Sequence, residues 1–146
     1  MGVSTDAILW FGFEYGEEPP WFDTDPDDYE DEEPEDSDDW MARVLGIVGP
    51  VADYSEETAE EYQAHWKAKR EAIAAAGVEV IHHCHHECVM YGLGVLKVSA
   101  SRGYPENVSK HIAQDTAEAE AKLRAFCERA GVEWAEPGWH LASDWA

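Results

Sequence analysis

Apolar residues recur in this chain with two periods, one of two residues and one of about three and a half, and the changes between them divide it into elements. From Thr5 to Gly16, Ala7, Leu9, Phe11, Phe13 and Tyr15 alternate with Ile8, Trp10, Gly12 and Glu14, the spacing of a strand rich in β-favouring aromatics. Both of its faces are mostly apolar, which predicts a strand in the middle of a sheet. After Gly16 the pattern gives way to acids broken by Pro19, Pro20, Pro26 and Pro34. Prolines forbid a continuous helix and like charges resist compaction, so residues 17–39 are expected to form a long acidic loop. Trp21, Phe22, Tyr29 and Trp40 supply rings able to pin parts of it to the body.

Helical spacing comes next. A short helix is expected from Ser37 or Asp38 through Trp40, Met41, Val44 and Leu45 to about Gly46. A longer one follows, with Ser55 as its N-cap, Glu56 and Glu57 in the first turn, an apolar stripe of Ala59, Tyr62, Trp66, Ile73 and Ala76, and Gly77 as its stop. Residues 78–81 read as a strand, 83–87 as a turn and 89–100 as a long strand, together an antiparallel hairpin. Gly92 and Gly94 share one face of the second strand, where a helix or a ligand can approach closely. A last helix starts at Asp115, with Glu118 in a capping-box arrangement, and buries Ala119, Leu123, Phe126, Cys127 and Ala130 before Gly131. Residues 138–145 supply a closing strand. This order predicts one α+β domain over residues 1–146: a mostly antiparallel sheet, two main helices on one face, and the acidic loop inserted after the first strand. The joint Ala76-Gly77-Val78-Glu79-Val80 is echoed by Ala130-Gly131-Val132-Glu133-Trp134 and reads as two similar helix stops rather than a duplication.

Composition narrows the class. With 45% hydrophobic residues and seven Trp among 146, the chain has the means to build a real core, so disorder is at most local. Charge is the dominant feature. Between Glu14 and Asp39 stand fifteen carboxylates and no Lys or Arg, and the first 42 residues hold sixteen of the 32 acids in a chain of net charge −22. Such a surface repels nucleic acid and anionic lipid and attracts basic protein surfaces. Three cysteines, Cys84, Cys88 and Cys127, are too few and odd in number for a disulfide scaffold. No apolar run reaches the ~18 residues of a membrane span, and the start MGVSTDAILW lacks a basic signal region, so a cytoplasmic protein is expected.

Both ends of the chain carry a recognisable pattern. Ser4-Thr5-Asp6-Ala7-Ile8-Leu9 with its aromatic-Gly-aromatic step, and Pro137-Gly138-Trp139-His140-Leu141-Ala142-Ser143 before Asp144-Trp145, resemble the opening and closing of a group of small proteins encoded by bacteriophages and prophages. The resemblance runs over most of the chain, through the acidic Trp-containing loop and the hairpin with Cys84 and Cys88. It implies a phage setting and the host cytoplasm, and it carries over no catalytic residue, since no activity is assigned to the group.

Two constellations offer chemistry. The acidic tract has the charge density to mimic a polyanion, because DNA-binding grooves are lined with Lys and Arg to meet one phosphate charge per about 1.7 Å of duplex. Asp23, Asp25, Asp27, Asp28, Glu30, Asp31, Glu32, Glu33, Glu35, Asp36, Asp38 and Asp39 would stand in for phosphates, with Trp21, Phe22, Tyr29 and Trp40 as anchors. The partner expected is a basic host protein, such as a nucleic-acid-binding defence complex of the kind that anti-CRISPR and anti-restriction proteins disarm. Direct contact with nucleic acid or membrane is not expected. The plain alternative is a solvated acidic loop that keeps the protein soluble. A calcium loop begins at Asp23-Thr24-Asp25-Pro26-Asp27, but Pro26 and the lack of a nearby Gly break the pattern. The second constellation is His82-His83-Cys84-His85-His86-Glu87-Cys88, from which His82, Cys84, His86 and Cys88 would hold zinc, with His111 or Cys127 as a distant ligand. Without a second ligand pair no cofactor is required, and zinc is the alternative. These histidines also titrate near neutrality, which leaves a pH sensor open. No nucleophile elbow, phosphate loop or dinucleotide fingerprint is present, and Ser101-Arg102-Gly103-Tyr104-Pro105 reads as a turn, so the protein is not expected to be an enzyme; a small enzyme of unknown reaction is the remaining alternative.

Overall fold

The computed structural model describes residues 5–21, 36–47 and 55–145. Strand β1 (Thr5–Gly16) covers the whole alternating segment and lies between other strands, as its two apolar faces demand. Strand β5 (Gly138–Trp145) runs antiparallel along one edge, with Trp145 opposite Thr5 and Gly138 opposite Gly12. The other edge is shared. Strand β4 (Val98–Ser101) pairs with residues 6–9, and strand β3 (Cys88–Gly94) with residues 12–16. The sequence reads β3 and β4 as one long strand, and β1 pairs with them almost as one. A break at residues 95–97 inserts one extra residue; there the Val95 N–H donates to the Phe11 carbonyl at 2.9 Å and Leu96 takes a φ of 35°, the behaviour of a bulge.

Strand β2 (Glu79–His85) forms the expected hairpin with β3, and at its end Cys84 and His85 pair in parallel with Asp144 and Trp145 of β5. Since β1 and β2 each pair with both β3 and β5, these four strands close a ring, and β4 extends from it. The interior of the ring is filled by Ile8, Trp10 and Ile81, with Ala142 against them. Gly92 and Gly94 make room for the indole: a Cβ on Gly94 would lie 2.8 Å from Trp10 Cδ1, and one on Gly92 would lie 3.0 Å from the same ring. The close approach expected at these glycines is therefore made by Trp10, from within the sheet, and not by a helix or a ligand.

The outer face carries the helices α1 (Ser37–Val44), α2 (Ala59–Ala76) and α4 (Ala117–Ala130), and the short α3 (Ser109–Ala113), which buries no residue, precedes α4. Trp40 and Met41 of α1 and Ala119, Leu123, Phe126 and Cys127 of α4 pack on Phe11, Phe13, Leu93 and Val95. This is the α+β arrangement the pattern predicts. Three details differ. Helix α2 starts at Ala59, after a turn in which the Ser55 N–H donates to Thr58 Oγ1 at 2.9 Å, so Ser55 closes a turn instead of capping the helix. Its stripe is alanine-rich and only partly covered: Ile73 reaches the core while Trp66 is 40% exposed. Helix α4 starts two residues after Asp115, whose side chain accepts from the Ala117 N–H at 2.9 Å. Gly77 and Gly131 end their helices with the same left-handed φ, 70° and 71°, but a strand follows at once only after Gly77, which fits two similar stops.

Candidate functional site

The His/Cys run is placed by the hairpin register. Strand β2 extends through His85, leaving only His86 and Glu87 in the loop, so the turn expected at residues 83–87 is mostly strand. Alternation in a strand sends neighbours to opposite faces, and that splits the run. His82 faces outward, its Nε2 sharing a hydrogen bond with Ser37 Oγ at 3.1 Å and its ring edge-on to Tyr91. His83 faces into the ring of strands and is 8% exposed, with Nε2 at 2.8 Å from Glu14 Oε2. The His85 and His86 rings lie 4.2 Å apart, and the Cys88 thiol donates to Glu17 at 3.4 Å. That bond, reinforced by the Glu17 charge, raises the Cys88 pKa. Cys127 is a core thiol whose pKa burial also raises. Among the described residues no group of three or more His, Cys, Asp or Glu side chains is placed to hold a metal ion, so His82, Cys84, His86 and Cys88 are not brought together.

An unforeseen polar group occupies the ring interior. Trp10 is flanked by His83 and His140, with ring centroids 5.3 and 5.4 Å away, and donates its indole N–H to the Phe13 carbonyl at 3.1 Å. His140 Nε2 donates to the Gly12 carbonyl at 3.1 Å. Glu14 was the available signal: it is an acid on the inward-pointing positions of a strand that are otherwise apolar.

The acidic tract is described at its two ends. Residues 22–35, carrying Phe22, Asp23, Asp25, Asp27, Asp28, Tyr29, Glu30, Asp31, Glu32, Glu33 and Glu35, lie outside the described residues. The flanks meet. Trp21 packs on Trp40 with ring centroids 4.8 Å apart and stands edge-on to Tyr91, and Trp40 stands edge-on to Phe126 of α4. Trp40 is 3% exposed and Trp21 packs against the core cluster, so these two rings hold the base of the tract to the body and are not outward anchors for a partner. Residues 37–39 are the first turn of α1, which shortens the expected loop. Several carboxylates also have partners within the fold. Asp36 caps α1 by accepting from the Asp38 N–H at 2.8 Å, and Asp39 lies 3.6 Å from the buried Lys69. Lys67, Lys97, Lys122 and Arg124 pair with Glu71, Glu79, Glu118 and Glu120, all outside the tract.

A cavity of about 440 Å³ opens where α1 begins, bounded by Asp36, Ser37, Asp38 and Met41 on one side and by Ile73, Glu79, Val80 and His82 on the other. Desolvation lowers the His82 pKa, against the pull of Asp38 and Asp36, which raise it. The folded state thus binds this proton less readily than the unfolded chain, whose pKa is about 6.5. The stabilisation is fully present above that value and is lost as pH falls from there through the lower folded pKa. His82→Gln is expected to flatten the decline in melting temperature between about pH 7 and 5; an unchanged slope would assign the decline to other groups.

Comparison with protein-family models, with curated proteins and with solved structures finds no match. Among the described residues no helix is long and apolar enough to cross a membrane.

Proposed function

We propose that the protein is an acidic binding protein that lays the segment 22–39 onto a positively charged surface of a partner, competing there with nucleic acid. The observation that carries this reading is the uncompensated charge: nine carboxylates in residues 22–35, within a 42-residue stretch free of Lys and Arg. Nine charges equal those on about 15 Å of duplex. The Trp21–Trp40 contact supports it, since the two flanks of the segment are held at one place on the body. An extended chain advances about 3.5 Å per residue, so no part of the segment reaches more than about 26 Å from that base. With the phage setting that the sequence resemblance implies, the partner proposed is a host defence complex that binds nucleic acid, of the anti-CRISPR or anti-restriction target type. The zinc alternative has no converging ligand set to support it among the described residues.

The test is competitive. In a panel of purified host nuclease complexes loaded with labelled duplex, the protein is expected to displace DNA at about 50 mM salt and to lose that ability near 500 mM, where screening is nearly complete. A variant with the nine acids of residues 22–35 changed to Asn or Gln, which takes the net charge from −22 to −13, should melt like the wild type and displace at least about tenfold less. Equal displacement by that variant would reject the reading.

A further inference from the structure

We infer that the cavity at the start of α1 receives an arginine side chain of the basic partner, an inference that rests on the docking reading above. Each side of the cavity mixes the two chemistries: Met41 of α1, with Ile73 and Val80 opposite, suits the methylene stem, while Asp36 and Asp38 face Glu79 across the opening, with the Ser37 hydroxyl beside His82. A planar guanidinium has five donors in a fixed fork and reaches carboxylates on different sides of a site, which the point charge of an ammonium does less well. Arginine is also enriched among the residues that dominate protein interfaces.

Other occupants fit worse. Ser37 and His82 have the spacing of a nucleophile and its base, but the oxyanion of an acyl transfer would form among three carboxylates, where it is destabilised. No metal-holding group is present among the described residues. A separate feature of the same junction points to a cation. Lys69, the buried residue of α2, lies with its side chain 5% exposed between Asp39 and the Trp66 ring, 3.6 Å from the carboxylate and 4.5 Å from the ring centroid. The fold thus already takes one positive side chain in beside the acidic first turn of α1. Two charges oppose a guest: Lys97, 4.0 Å from Glu79, and the positive end of α1, worth about half an elementary charge. Together they offset about half of the three carboxylates. Asp36 and Asp38 are also the last part of the anionic tract, so the cavity continues the proposed docking surface.

N-acetyl-arginine amide, titrated into 15N-labelled protein, is expected to shift the amides of Ser37, Asp38, Val80 and His82 with saturation, whereas the uncharged isostere N-acetyl-citrulline amide is not. Asp38→Asn combined with Glu79→Gln should weaken binding at least tenfold; Asp36 is left alone because it caps the helix. Glu79→Gln alone, expected to weaken binding severalfold, serves if the double variant melts below the wild type. The absence of saturable shifts at the cavity, equal binding of citrulline, or indifference to these substitutions would overturn the inference. The variant neutralised in residues 22–35 keeps the cavity, and the double variant keeps that segment. Loss of DNA displacement in the first with arginine binding intact separates the two ideas, as does the reverse.

Discussion

Replacing Trp10 by Ala is expected to remove about 3–5 kcal/mol of stability, a large share of the ~5–15 kcal/mol that a folded domain holds. The indole fills the ring of strands, stacks between His83 and His140, and lies directly on Gly92 and Gly94. Those glycines have no side chains to move into the space, so the void would persist, bordered by the buried His83. Urea unfolding checks the value, with Trp10→Phe expected to recover part of the loss. A loss below about 1.5 kcal/mol for the Ala variant would show that the ring does not depend on its central side chain.

Gly12→Ala should be nearly as damaging, by at least about 3 kcal/mol. Gly12 sits where β1 crosses from β4 to β3, and a Cβ there would be driven into the Leu93 carbonyl oxygen and would lie 2.9 Å from the Gly94 Cα. Both obstacles are backbone of a hydrogen-bonded strand, so relief requires β1 and β3 to part and the ring to open. Gly103→Ala is the control. Gly103 also has a positive φ, 81°, but nothing lies within 4 Å of its added Cβ, and the expected loss is about 1 kcal/mol. If the two variants melt together, backbone conformation and not the crossing of strands sets the cost.

Sequence pattern reached the elements more fully than their closure. β1 and β5 are legible to the residue because alternation marks their length and a glycine stands at one end of each, Gly16 closing β1 and Gly138 opening β5. The ring is not, since it depends on a two-residue parallel contact between Cys84–His85 and Asp144–Trp145, about sixty positions apart, which leaves no periodic trace. A run of His and Cys looks polar and so suggests a turn from residue 83, but pairing with β3 keeps residues 83–85 in the strand, even with Cys84 at a φ of 75°. Lys69 lies beside an apolar stripe and gives no local sign that it would be buried while Trp66 is not. For the same reason, the tract's charge could be counted from the chain, but not which acids the fold uses for itself. Glu14 meets His83, and Asp39 meets Lys69, only through tertiary structure.

The contact between Trp21 and Trp40 has an evolutionary corollary. With both ends of residues 22–35 tied to one spot, insertions, deletions and rearrangements between them leave the register of β1 and the start of α1 unchanged. Doubling the length of such a closed segment adds only about 0.6 kcal/mol to its closure entropy. The length and order of this stretch can therefore change while the rest of the molecule keeps its fold.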